Sequence, residues 1–100
     1  GTVRLKFGDK PLFVLAGTGA SERASQVVKR LNGFFDAVPE LYEVKFSPSG
    51  AVMGRNQTLV ELTAADALAA GKPVSAATED AAKAIRSALV GLAFHLWEGR

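Results

Sequence analysis

The stretch PLFVLAGTGASERASQVVKRL, residues 11–31, runs from an apolar segment through two glycines into a helical pattern. Leu12–Ala16 is apolar on both faces, which is typical of a strand covered on both sides. Ser21 is a residue type that caps a helix, and Glu22 favours its first turn. Apolar residues then follow at helical spacing: Ala24, Val27, Val28, Leu31 and Phe35. The stretch predicts a strand followed by an amphipathic helix that lies on a sheet.

The residues before this stretch predict its partner strand. Val3, Leu5 and Phe7 alternate with polar residues, which is the pattern of a strand with one solvent-facing side. Gly8–Lys10 reads as a turn. Two strands so close in sequence most simply form an antiparallel hairpin.

The glycine loop raises the question of a phosphate site, because a strand, a glycine loop and a helix N-terminus can bind phosphate groups. A dinucleotide motif needs a third glycine, and Glu22 stands in that place. A Walker loop needs a Gly-Lys-Ser/Thr ending, which does not follow. We therefore interpret the loop as a strand-to-helix turn and keep three residues as a weaker candidate for anion binding: Gly17, Gly19 and Ser21.

The middle of the chain predicts a second hairpin. Tyr42, Val44 and Phe46 alternate with polar residues, and Ser47–Gly50 has the composition of a type I turn. Ala51–Met53 and Gln57–Leu62 read as two more strands, joined by a tight turn at Gly54–Asn56. The segment from Asp36 to Glu40 connects this part to the first helix, which Asn32-Gly33 loosens or ends.

Two helices complete the pattern. Thr63 and Asp66 have the spacing of a capping box, and Gly71 and Pro73 end the short helix that it starts. Ser75 is predicted to cap a long final helix with one apolar stripe: Ala81, Ile85, Leu89, Leu92 and Leu96. The 100 residues are expected to form a single α+β domain, 1–100, of order ββαββαα. Its antiparallel sheet has four to five strands in two hairpins.

The end of the final helix is apolar on a second side. Val90, Phe94 and Trp97 point away from the stripe of Ile85 and Leu89 at 100° per residue. One interpretation is that the rest of the domain covers them. The other is that they form an interaction surface, for a second copy or for an adjoining membrane segment.

Composition and isolated polar residues point to no catalytic, cofactor or metal site. The net charge is +2 with scattered basic residues, which does not favour nucleic-acid binding, and cysteine is absent. His95 is the one histidine and has no partner that the sequence can pair with it. Asp66, Glu79 and Asp80 lie near helix N-termini, where capping and the helix dipole explain them. We expect a protein that is not an enzyme.

Three stretches carry a resemblance to a known family: KPLFVLAG, SERASQVVKRLN and TLVELTAADALAAGKPVSAATEDAAKAIRSAL. The chain resembles the extracytoplasmic N-terminal domain of some bacterial small-conductance-type mechanosensitive channel proteins, from about Val3 to His95. In that family a strand ends in a Thr-x-x-Asp-Ala turn of helix, here Thr63–Ala67. The connection Phe34–Glu40 is longer and more apolar than in the family.

The resemblance implies an accessory domain outside the cytoplasm, in the periplasm or cell envelope, attached to a membrane protein. Such a domain would serve sensing, interaction or assembly, and the family supplies no catalytic residues. The alternative is a small free-standing protein that binds an apolar or anionic ligand between sheet and helix, with Gly17–Ser21 at its mouth. The sequence does not identify that ligand.

Overall fold

The computed structural model describes residues 2–7, 10–37 and 39–98, and the side chains of these residues up to Gly91. The turn expected at Gly8–Lys10 lies mostly outside this part. The described strands and helices follow in chain order: β1 Thr2–Phe7, β2 Lys10–Ala16, α1 Ala20–Asp36, a 3-10 helix Leu41–Glu43, β3 Val44–Phe46, β4 Ala51–Gly54, β5 Gln57–Glu61, α2 Ala64–Ala70 and α3 Val74–Glu98.

The predicted α+β class and element order are confirmed, and the five strands divide between two antiparallel sheets. One sheet is the hairpin of β1 and β2, in which Leu5 pairs with Phe13. The other has the order β3-β4-β5, with Val52 paired to Val60. The two hairpins of the sequence analysis therefore belong to separate sheets.

The β1–β2 hairpin lies between helices, which explains why β2 is apolar on both faces. On one side Phe7 meets Phe35 of α1, with ring centroids 4.8 Å apart. On the other side β2 packs against α2 and α3. Leu15 is completely buried, as expected for a strand covered on both sides.

The start of α1 differs from the prediction. Gly17 and Gly19 have φ of 94° and 78°, in the left-handed region that glycine adopts without strain. They turn the chain early enough for the helix to begin at Ala20, with Gly19 as its N-cap. Ser21 therefore lies inside the first turn, and its predicted capping role is wrong. Glu22 lies in that turn, as expected.

The buried face of α1 also differs in two residues. Val28 was expected in the core and is 40% exposed, whereas Phe34 is buried. Phe34 packs over Gly54 of β4, where a Cβ atom would come within 2.5 Å of the Phe34 ring. The helix continues through Asn32-Gly33 to Asp36, because this face stays covered.

The second sheet begins later than its sequence pattern indicates. Tyr42 lies in the 3-10 helix, is largely exposed and belongs to no strand, so β3 starts only at Val44. Glu40 and Glu43 form a capping box that fixes this turn of helix. The turn at Ser47–Gly50 is as predicted. Arg55 and Asn56 adopt positive φ, as the tight turn requires.

The C-terminal helices follow the prediction with one correction. The capping box of Thr63 and Asp66 is present, and Gly71 ends α2 in the left-handed conformation. However, α3 begins at Val74, so Ser75 lies within the helix and does not precede it as a cap. Of the predicted stripe, Ala81, Ile85 and Leu89 are buried; the side chains of Leu92 and Leu96 lie outside the described residues. None of the described helices is long and apolar enough to cross a membrane.

The contact between Gly54 and Phe34 generates a stability prediction. We expect Gly54→Ala to lower the free energy of unfolding by about 1–3 kcal/mol, because the added methyl group overlaps the Phe34 ring. Gly33→Ala is the matched control, since no atom lies within 4 Å of the added carbon and alanine favours a helix. It should raise the free energy of unfolding by about 0.5–1 kcal/mol. Urea denaturation measures both, and equal effects would contradict the packing.

Candidate functional site

Asp66 is the one charged residue that is buried among the described residues. Its side chain is 1% exposed. One carboxylate oxygen accepts the backbone N–H of Ala16 at 2.7 Å, and the other accepts that of Thr63 at 2.8 Å. Asp66, the second member of the α2 capping box, thus also holds the end of β2.

Arg23 of α1 completes this cluster from the opposite side. Its guanidinium donates to both Asp66 oxygens, at 2.7 and 3.2 Å, in a two-pronged ion pair. It also donates to the carbonyl oxygens of Glu61, at 3.0 Å, and Ala16, at 3.4 Å. The side chain is 30% exposed, so the pair lies at the edge of the core.

Electrostatics keep this pair ionised. Burial raises the pKa of Asp66, but hydrogen bonds from Arg23, Thr63 and Ala16 outweigh burial, so the pKa lies below its ordinary value. The hydrogen bond to Asp66 raises the pKa of Arg23. Each Asp66 oxygen accepts two hydrogen bonds. The carboxylate therefore acts as a structural acceptor that joins β2 and α1 to the start of α2, and Arg23 adds the end of β5.

The sequence analysis recognised only part of this arrangement. The expected role of Asp66 in the capping box of α2 is confirmed, whereas the sequence analysis assigned no role to Arg23. The two residues are 43 positions apart, and no local pattern links them. Only an arginine on the flank of an amphipathic helix and a capping aspartate were visible in the sequence.

A cleft of about 350 Å³ opens beside Arg23, between α1 and β5. Gln26 and Arg30 line it from the helix, and Glu61 and Thr63 from the end of the strand. Its charges are mixed, because Asp66 neutralises Arg23 and Glu61 stands opposite Arg30. In the described residues no group of three or more His, Asp or Glu side chains is placed to hold a metal ion.

The glycine loop predicted as a weak anion site lines another cleft, of about 330 Å³, with Thr2 and Val3. Gly17, Gly19 and Ser21 are exposed there. One amide at this turn is already bonded, since the Ala20 N–H donates to the Gly17 carbonyl. The adjoining strands are antiparallel, unlike those of dinucleotide-binding folds. Anion binding by this loop stays a prediction.

A small cavity lies between β2 and the C-terminal helices. It measures about 190 Å³ and is lined mainly by apolar side chains, among them Leu12, Val14 and Ala81. An ion pair of Lys72 and Asp80 stands beside it. No residue of the glycine loop lines this cavity. A ligand held between sheet and helix, with Gly17–Ser21 at the mouth, stays a prediction.

The predicted interaction surface of α3 is described at one position. Val90 is 50% exposed, whereas its neighbour Leu89 is buried. The side chains of Phe94 and Trp97 lie outside the described residues, as does that of His95. The helix backbone continues past them to Glu98, so positions 90, 94 and 97 share one side of α3.

A further ion pair joins the 3-10 helix to the turn between β4 and β5. Arg55 donates to both carboxylate oxygens of Glu43, at 2.7 and 3.1 Å. That hydrogen bonding, with a further bond from the Glu40 N–H, lowers the pKa of Glu43 to about 2. Tyr42, Lys45 and Met53 lie around the pair in a shallow cleft of about 240 Å³.

The Asp66 cluster predicts a pH-dependent loss of stability. We expect Asp66→Asn to lower the free energy of unfolding by about 3 kcal/mol at neutral pH, because it breaks a buried ion pair. The folded-state pKa is depressed, so this contribution is present above the unfolded value of about 4 and is lost as pH falls through the folded pKa. The difference between wild type and variant, measured by urea denaturation, should therefore shrink in acid.

The matched control is Asp80→Asn. It breaks the ion pair with Lys72, whose two side chains are about half exposed. Exposed pairs contribute roughly 0–1 kcal/mol. An Asp66 variant no less stable than the Asp80 variant would contradict the structural role of the cluster.

Comparison with known proteins gives one family. A family model described as a domain of unknown function, DUF8459, matches residues 2–91. No curated protein and no solved structure matches the chain. The match begins with β1 and extends into α3, so it contains both sheets, the Asp66 cluster and the exposed Val90. The chain therefore belongs to the DUF8459 family.

Proposed function

We propose that this chain is a non-enzymatic accessory domain that acts through interaction with other chains, in sensing or assembly. In this proposal the domain lies outside the cytoplasm and is attached to a membrane protein, as in the mechanosensitive channel proteins that its sequence resembles. Its contacts are with a second copy or with an adjoining membrane segment.

The structural role of the Asp66 carboxylate supports a function without catalysis. General acid–base chemistry needs a group that exchanges a proton near the working pH and can reach a substrate. Asp66 is buried, holds four hydrogen bonds and has a lowered pKa. It serves the fold and is not available to a substrate.

The single observation that carries the proposal is the exposed Val90 on the second side of α3. Ile85 and Leu89 are buried against the domain, and Val90 on the other side is half exposed. Phe94 and Trp97 follow one and two turns later on that same side of a continuous helix. Aromatic residues with an apolar neighbour are the residue types that dominate interaction surfaces. We call Val90, Phe94 and Trp97 the α3 surface.

The length of α3 fits a helix that leads to another segment. Its 25 residues extend over about 37 Å at 1.5 Å per residue. The molecule measures 43 × 23 × 21 Å, so the helix runs along the long axis. An α3 surface near the end of this helix is well placed to meet a second helix.

The α3 surface generates a prediction on association. We expect the wild-type domain to form a dimer, and Phe94→Ala with Trp97→Ala to weaken that dimer by about thirtyfold or more, because two aromatic contacts are lost. Sedimentation equilibrium measures the masses. The control is Leu68→Ala, which removes an 82% exposed leucine from α2 and should leave the dimer unchanged. A monomeric wild type whose mass the substitutions do not alter would exclude self-association.

Cellular location generates a separate prediction. The sequence contains no cysteine, so Ser25→Cys at an exposed position of α1 provides one specific label site. In intact cells that express the full-length parent protein, a membrane-impermeant maleimide should label this variant above the level of the parent without the substitution. Labelling that requires cell lysis would place the domain in the cytoplasm and contradict the proposal.

A further inference from the structure

The outer edge of β1 is open. β1 is paired on one side only, with β2, and in an antiparallel pair every second residue directs its backbone N–H and C=O away from its partner. In the part of the chain that the structure describes, no hydrogen bond reaches β1 from its other side. Such an edge can pair with another strand.

Among the described residues, each of the other edge strands makes a hydrogen bond to a side chain from outside its sheet. Asp66 accepts the N–H of Ala16 at the end of β2. Arg23 donates to the carbonyl of Glu61 in β5. Arg86 of α3 donates to the carbonyl of Val44 in β3, at 2.7 Å. β1 is the edge strand of the described sheets without such a bond.

One face of β1 is basic. Arg4 and Lys6 are exposed and lie two residues apart, so both point to the same side of the strand. The hairpin has a β-bulge, which lies in β2 at Leu12, a residue without a partner in β1. The side chains of β1 therefore alternate between its two faces without interruption. Neither Arg4 nor Lys6 takes part in an ion pair among the described residues.

The other face of β1 adjoins an exposed apolar residue of α1. Val3 and Phe7 pack against the core on that face, and Phe7 meets Phe35. Val28 precedes Phe35 by seven residues, which places it on the same side of the helix, two turns away. It is 40% exposed, and the described sheet has no strand beyond β1. A third strand beside β1 would cover Val28.

We propose that β1 accepts an extended peptide segment of a partner protein as a third strand of this sheet. The segment has acidic side chains at alternate positions, facing Arg4 and Lys6, and apolar side chains between them, facing Val28. Opposite charges on neighbouring strands stabilise the pair, and backbone hydrogen bonds along β1 supply affinity. This inference rests on the proposed interaction role and names the partner class for a surface other than α3.

Charge argues against a second copy as the occupant. In antiparallel pairing of β1 with itself, the central registers place Arg4 opposite Arg4, Arg4 opposite Lys6 or Lys6 opposite Lys6. Like charges directly opposite each other destabilise a strand pair. An acidic segment reverses the sign of each contact.

The test uses a capped peptide of alternating valine and glutamate, with a valine–lysine peptide of equal length as its matched control. Titration into the ¹⁵N-labelled domain, followed by NMR, should shift the amide signals of Thr2–Phe7 and of Val28 with the glutamate peptide. The lysine peptide should bind about tenfold more weakly or worse. The charge-swapped variant Arg4→Glu with Lys6→Glu should reverse this preference, which a variant that fails to fold could not do.

Three results would overturn the inference: no shifts with either peptide, equal affinity for both, or shifts that centre on β3–β5. Broadening of the β1 signals with protein concentration alone would make a second copy the occupant and would also overturn it. The outcome is independent of the α3 surface, because Phe94→Ala with Trp97→Ala should leave peptide binding unchanged. A failure to dimerise would therefore contradict the proposed function, and a failure to bind the peptide would contradict the inference about the edge of β1.

Discussion

The ion pair of Arg23 and Asp66 is the interaction on which the rest of the structure depends. It is the point where the end of β2, the first turns of α1, the end of β5 and the start of α2 meet. The two sheets do not pair with each other, so no ladder of backbone hydrogen bonds joins them. The ion pair links the two sheets instead, because it bonds to backbone groups of both. It remains ionised because those bonds outweigh the cost of burial.

The division into two sheets also decides which surfaces remain open. A two-stranded sheet has two edges, and Asp66 accepts a backbone N–H at the end of β2. In the described part of the chain no such bond reaches β1, which carries basic residues on one face.

In the proposed function, the α3 surface and the edge of β1 bind partners, whereas Arg23 and Asp66 stabilise the fold. The α3 surface is apolar and lies on a helix that runs along the long axis of the molecule, which suits contact with another helix. The edge of β1 is polar in its backbone and basic on one face, which suits an extended acidic segment. The two proposed surfaces differ in chemistry, so each would take a different kind of partner.

The sequence by itself determined the α+β class, the order of the elements, both hairpins, the capping box of Thr63 and Asp66 and the left-handed turns. These depend on spacing and on backbone preferences within a few residues. Sequence analysis did not identify Gly19 as the N-cap of α1, because glycines allow several turn conformations and so leave the start of the helix undecided. It also missed the burial of Phe34 over Gly54, the exposure of Val28, the separation of the sheets and the partner of Asp66. Only the tertiary structure decided these, because each depends on contacts between residues distant in sequence, which no local pattern encodes.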